Sequence, residues 1–118
     1  MKTLVIGAST NPDRYSFKAI ALLRDYKHEV LALGKELGKV VDISFIQDFP
    51  KGEKIDTITL YINPKIQPDY YQEIIEAQPR RIIFNPGTEN PELVRLANAN
   101  NILTEDACTL VLLNTNQY

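Results

Sequence analysis

The sequence predicts an α/β protein of Rossmann-like type: a doubly wound parallel sheet of about five strands, covered on both faces in three layers, α/β/α. Three observations lead there. Residues 3–6 are apolar or β-branched at every position, which is how a strand buried on both faces reads. That run stops at Gly7, passes through small and polar residues, and meets Arg14 at the start of a helical pattern. Further on, short β-rich runs alternate with helical patterns, so the strands run parallel and are joined by right-handed crossovers.

Each element has its own signal. From Tyr15 the apolar residues Tyr15, Ala19, Leu22, Leu23 and Tyr26 recur at helical spacing, predicting a first helix with that stripe inward. Lys27 and His28 punctuate, and Glu29–Leu33 reads as a second strand. Residues 34–39 form a loop by their glycines and charges. Residues 40–50 carry no clear period; a short extended piece, a weak helical turn over 44–48 and an exit at Pro50, Lys51 and Gly52 are expected. Residues 57–62, rich in β-branched and aromatic side chains, read as a central strand that ends at Asn63 and Pro64. Gln67, Pro68 and Asp69 signal a helix start, with proline at its first position and an acid in its first turn. Tyr71, Ile74, Ile75 and Gln78 share one face of that helix, which stops before Pro79. Residues 81–84 are the next strand. Asn90, Pro91 and Glu92 repeat the start signal, with Leu93, Leu96 and Ala97 on the inner face. Ile102 and Leu103 give a last short strand, and residues 107–113 are an apolar tail of ambiguous state.

Bulk properties narrow the function. At 118 residues the chain is expected to form one domain over 1–118. A hydrophobic share of 44% with 24% charged residues marks a folded chain rather than a disordered one. A formal net charge of −2 argues against a nucleic-acid binder with a broad basic surface. The single cysteine, Cys108, excludes an internal disulfide and fits a reducing compartment. No apolar run approaches the ~20 residues that span a bilayer, and no signal-peptide pattern precedes Thr3. The expectation is a cytoplasmic protein that engages neither nucleic acid nor membrane.

Ligands of doubly wound sheets sit outside the carboxyl ends of the strands, where strand order reverses. That places residues 7–16, 34–39, 61–65 and 85–88 on one rim. A strand, a tight turn and a helix start together let backbone N–H groups hold a phosphate. Gly7, Ala8 and Ser9 are candidates to present amides to a pyrophosphate, with Arg14 adding a charged fork and Ser16 a hydroxyl. Of a dinucleotide fingerprint only Gly7 is present, and Leu33-Gly34-Lys35 ends the second strand where an NAD site carries an acid. A lysine there suits a ribose that carries a phosphate, as in NADP or coenzyme A. The plainer alternative is that Gly7 only permits a tight turn and Arg14 is a solvated helix-start residue.

The pattern G-A-S-x-x-P-x-R-x-S, here Gly7-Ala8-Ser9-Thr10-Asn11-Pro12-Asp13-Arg14-Tyr15-Ser16, resembles the opening motif of the small stand-alone CoA-binding proteins. Those are related to the N-terminal CoA-binding domain of the succinyl-CoA synthetase alpha subunit, and the likeness runs from Thr3 to about Leu112. Leu33-Gly34-Lys35 with Gly38-Lys39 resembles the family's loop after the second strand, which frames the adenine and its phosphates. Tyr61-Ile62-Asn63-Pro64 resembles its Tyr/Phe-x-x-Pro turn, where the nucleotide is flanked. Phe84-Asn85-Pro86-Gly87 resembles its glycine loop, with Asn85-Pro86 where a glutamine or glutamate usually precedes the glycine. Asp106-Ala107-Cys108 resembles its Asp/Asn-Arg-Cys ending, with Ala107 in the arginine's place. The resemblance implies a site for coenzyme A or an acyl-CoA on this rim. Gly7, Ala8, Ser9, Arg14 and Lys35 would meet the phosphates, helped by Ser16 and Gly34. Ile62, Asn63 and Pro64 would flank the base, with Gly87 beside them.

No catalytic constellation stands out. The related synthetase uses a phosphorylated histidine on a separate domain, and nothing here corresponds to that domain. His28 reads as a surface turn residue, and Cys108 as a small buried hydrophobe or a thiol facing the pantetheine end. Glu89, Glu105 and Asp106 read as caps or solvated charges. One histidine and one cysteine supply no zinc ligand set. The expected function is therefore non-catalytic or accessory binding of a small-molecule nucleotide cofactor, coenzyme A or acyl-CoA. A homodimer through residues 110–113 is left open. Two rivals stand beside it: an NADP-dependent oxidoreductase-like enzyme on the same rim, and an interaction scaffold that has lost its ligand.

Overall fold

The computed structural model describes residues 1–118. In chain order the elements are β1 (Lys2–Ile6), α1 (Tyr15–Asp25), β2 (Glu29–Leu33), β3 (Lys39–Val40), β4 (Ile43–Ser44) and β5 (Thr57–Leu60). A 3-10 turn (Gln67–Tyr70) then leads into α2 (Tyr71–Ala77), followed by β6 (Arg81–Phe84), α3 (Pro91–Ala99), β7 (Leu103–Asp106) and α4 (Thr109–Asn114). Five strands form one parallel sheet in the order β2-β1-β5-β6-β7, while β3 and β4 pair as a small antiparallel hairpin. This is the doubly wound sheet that alternating strand and helix patterns imply. Its winding reverses between β1 and β5.

Successive strand side chains point to opposite faces, so the unbroken apolar runs feed two cores. On one face Leu4, Ile6, Ile58, Leu60 and Ile82 pack with Ile74 of α2 and Leu93 and Ala97 of α3. On the other, Val5, Val30 and Ala32 pack with Ile20 and Leu23 of α1 and Leu113 of α4. Residues 107–113, ambiguous in sequence, thus supply the helix that completes the second layer. No helix is long and apolar enough to cross a membrane.

Four expectations about elements are corrected. Helix α1 buries Ser16, Ala19, Ile20 and Leu23, whereas Tyr15 and Tyr26 are exposed. The helix seats its small side chains on the sheet, which rotates the tyrosines outward; the Tyr15 ring instead lies 5.3 Å from the Lys18 ammonium. Residues 44–48 form no helical turn. An extended chain there buries Phe45 and lets Ile46 pair with β2, donating to the Ala32 carbonyl at 2.9 Å and accepting from the Gly34 amide at 3.0 Å. The hairpin is tied to α1 by a bidentate pair, Arg24 to Asp42, at 2.8 and 2.7 Å. Strand β5 ends at Leu60, short of the expected residue 62, because Ile62 turns into the rim. Strand β7 runs on to Asp106 rather than stopping at Leu103.

Candidate functional site

The carboxyl ends of β1 and β5, where the winding reverses, open into a cavity of about 780 Å³. All four expected rim segments contribute to its wall, joined by Phe45, Ile66 and Tyr70.

Its floor is the turn from β1 to α1. Gly7 has φ +98°, and a Cβ there would lie 2.8 Å from the Tyr61 carbonyl oxygen and 3.1 Å from Ile62 Cγ2. Glycine is what lets this turn lie against the exit of β5. The amides of Gly7 and Ala8 both donate to the Leu33 carbonyl at 3.0 Å. They hold the end of β2, which corrects the expectation that they face a pyrophosphate. The loop then folds on itself: the Asn11 N–H donates to Ser9 Oγ at 3.1 Å and the Asp13 N–H to Asn11 Oδ1 at 3.0 Å. The N–H groups of Ser9 and Thr10, and those of Tyr15, Ser16 and Phe17 in the first turn of α1, have no protein acceptor. That turn carries no acid and no side-chain cap; the one nearby carboxylate is Asp13, just ahead of the cap residue Arg14. Ser16 is buried at this end and lines the cavity, its hydroxyl without a protein partner.

Two cations border the mouth. Arg14 and Lys35 both line the cavity, both are exposed, and neither enters an ion pair. Asp13 and Glu36 line it too, so the wall alternates in sign and the donors concentrate at the start of α1. Gly34 brings Lys35 into place: a Cβ on it would stand 3.1 Å from the Ala8 carbonyl oxygen and 3.2 Å from the Phe45 ring. The loop after β2 is therefore pressed onto the β1 turn from one side and onto Phe45 from the other.

The far wall departs from expectation. Ile62 lines the cavity, but Asn63, Pro64 and Gly87 do not. The Asn63 side chain is turned inward on its own loop, accepting from the amides of Lys65 at 2.9 Å and Ile66 at 3.2 Å. That turn leaves Pro64 on its outside and brings Ile66 and Tyr70 to the wall instead. Gly87, at φ +93°, donates its amide to Glu89 Oε1 at 2.9 Å, and its neighbours Pro86 and Thr88 supply the lining. Ile66 and Tyr70 stand four apart in the sequence at the Gln67-Pro68 helix start, a spacing that could have placed both on one face.

Behind the cavity lies a buried polar knot. Asn85 Nδ2 donates to Thr59 Oγ1 at 2.6 Å and to the Leu60 carbonyl at 2.9 Å, and its Oδ1 accepts from the Thr109 amide at 2.9 Å. The Thr59 and Thr109 hydroxyls bond each other at 2.8 Å. The Tyr61 hydroxyl is buried beside them without a bond of good geometry to either. Burial pushes its pKa up to about 12, with the two threonines pulling the other way. Tyr61 therefore stays protonated near neutral pH and serves the cavity as part of its wall, not as a base. Cys108, at the head of α4, is half-buried and unpaired.

A family model described as a CoA binding domain matches residues 1–114. A crystal structure of an uncharacterized protein is 40% identical with a TM-score of 0.95, covering 99% of this chain and 97% of the other. A Thermus thermophilus protein, cell-free ID.343, is 18% identical with a TM-score of 0.88 over 99% of this chain and 90% of its own. The dinucleotide-forming acetyl-coenzyme A synthetase 1 of Ca. Korarchaeum cryptofilum, solved with phosphate and ADP, shares the fold at a TM-score of 0.75 and 16% identity. The match covers 89% of this chain and 25% of that enzyme. No curated protein matches. With a family match running almost end to end over a doubly wound sheet whose switch point opens into the cavity, the chain belongs to the CoA-binding domain family.

Proposed function

We propose that this chain binds coenzyme A or an acyl-CoA across the carboxyl ends of β1 and β5, as a holder that performs no chemistry on it. One arrangement carries the reading: the free N–H groups at the start of α1, whose first turn holds no acid, share a cavity with two unpaired cations, Arg14 and Lys35. A pyrophosphate suits that end of a helix, where amides and dipole act together. The Arg14 guanidinium forks onto two phosphate oxygens, while the Lys35 ammonium acts as a point charge for a ribose phosphate. Ile62, Ile66 and Tyr70 offer an apolar wall for the base or the pantetheine arm. The volume lies within the roughly 300–1,000 Å³ common among small-molecule sites.

Calorimetric titration with coenzyme A, acetyl-CoA, NADPH and ADP tests this. Saturable one-to-one heat for coenzyme A and acetyl-CoA, tighter than for ADP, is expected. Tighter binding of NADPH than of coenzyme A would move the reading to a hydride-transfer cofactor. Silence with all four ligands would overturn it.

A further inference from the structure

Gln67 is fully buried, although a carboxamide loses free energy on burial unless it is hydrogen-bonded. Its Nε2 donates to the Ile62 carbonyl at 3.0 Å and to the Thr88 carbonyl at 2.8 Å, and its Oε1 accepts from Asn90 Nδ2 at 2.9 Å. Asn90 also donates to the Tyr71 hydroxyl at 2.7 Å, and its Oδ1 accepts from the amides of Glu92 and Leu93 at the start of α3. The carboxamide has one workable orientation. Two carbonyls require its NH₂ group, and the NH₂ of Asn90 requires its oxygen.

Three hydrogen bonds between residues 61–71 and residues 85–92 run through the side chain of Gln67 or Asn90, and no backbone–backbone bond joins these segments. Those two segments carry the far wall: Ile62, Ile66 and Tyr70 on one side, Pro86 and Thr88 on the other. Neither Gln67 nor Asn90 lines the cavity itself. The structure assigns to Gln67 a positioning role, in which one buried NH₂ group bridging the Ile62 and Thr88 carbonyls sets the spacing of the ligand-facing far wall. This rests on the coenzyme A reading for its ligand, and on hydrogen bonds alone for the spacing. Without the bridge the two loops separate and the apolar wall no longer closes on the bound molecule.

Two substitutions test it. Gln67→Glu places a carboxylate oxygen against two carbonyl oxygens, a repulsion that protonation relieves by restoring one O–H donor. Gln67→Met keeps the shape and removes the bonds at every pH. Coenzyme A affinity relative to wild type is measured at about pH 8 and about pH 5.5, a span across which a buried carboxyl with a raised pKa gains its proton. Gln67→Glu is expected to lose about tenfold at the higher pH and to recover to about threefold at the lower, while Gln67→Met loses about tenfold at both. A glutamate variant with the same deficit at both pH values, or a methionine variant within about twofold of wild type, would overturn the role. Hydrogen exchange of the ligand-free proteins supplies a separate arm. Faster exchange in both segments of the methionine variant, with β1 and β5 unchanged, supports the bridge, and unchanged exchange in those segments overturns it. Wild-type protein that binds no coenzyme A would count against the functional reading alone.

Discussion

Arg14 and Lys35 reach the same cavity from different backbones, and their chemistry differs accordingly. Arg14 sits at the cap position of α1, fixed by the turn that Asn11 and Asp13 close behind it. Lys35 follows Gly34, which packs so close to the β1 turn that a Cβ on it would stand 3.1 Å from the Ala8 carbonyl oxygen. If coenzyme A binds as proposed, reversing the charge of Lys35 sets a carboxylate against its phosphates. Lys35→Glu is expected to weaken coenzyme A by about tenfold or more, whereas Lys54→Glu, at an exposed residue outside the cavity, costs less than about twofold. Calorimetry on the two variants checks this, and equal effects would show that Lys35 is not at the phosphates. Both cations were legible in the sequence, one from the G-A-S-x-x-P-x-R-x-S pattern and one from its place after the second strand. The use of the Gly7 and Ala8 amides was not, because their acceptor is the carbonyl of Leu33, a neighbour only once β1 and β2 have paired.

Among the elements, α4 depends most visibly on a single distant side chain. Its first residue, Thr109, gives its amide to Asn85 at the end of β6, and the same asparagine holds Thr59 and Leu60 of β5. Asn85→Ala leaves the Leu60 carbonyl, the Thr109 amide and the Thr59 hydroxyl short of partners in the interior. A loss of about 2 kcal/mol or more is expected, read as a lower urea midpoint at unchanged slope, with faster exchange in α4. A loss below about 0.5 kcal/mol would mean that water replaces the carboxamide. In sequence Asn85 stood out as a departure from the glutamine or glutamate of related chains. Its role in docking α4 became visible only when residues 59, 85 and 109 met. The hairpin of β3 and β4 was illegible for a related reason. A two-residue strand has too few positions to show a period, and Phe45 is driven inward by Gly34, Gly38 and the open edge of β2 rather than by its own neighbours.

Across the whole molecule the two ends of the sheet are chemically separate. The carboxyl end holds the cavity. At the amino end the Tyr118 ring packs edge-on to His28 with centroids 5.0 Å apart, lies 4.6 Å from the Arg81 guanidinium, and its hydroxyl bonds Thr3 Oγ1 at 2.5 Å. Burial holds the His28 imidazole below its ordinary value of 6.5, and the positive charges of the N-terminal ammonium and of Arg81 add to this. The folded protein thus takes up that proton less readily than the unfolded chain. The His28 contribution to stability is complete above pH 6.5 and is lost as the pH falls below it. Further into acid, below 3.8, the carboxylates of Asp56 and Asp42 lose the pairs with Arg80 and Arg24 that depress them. Thermal melts at about pH 7.5 and about pH 5.5 should show wild type losing stability while His28→Phe loses less; parallel losses would acquit His28. The sequence by itself determined the alternation of strands and helices, the parallel sheet that alternation requires, and which loops meet at the carboxyl ends of the strands. Those follow from apolar periodicity and glycine placement, which are local to a few residues. Only the tertiary structure decided which amides stay free, which face of α1 is buried, and that Phe45, Tyr70 and Thr88 line one cavity with Arg14. Those outcomes are set by contacts between segments tens of residues apart, where packing and hydrogen-bond supply override the preferences of any single stretch.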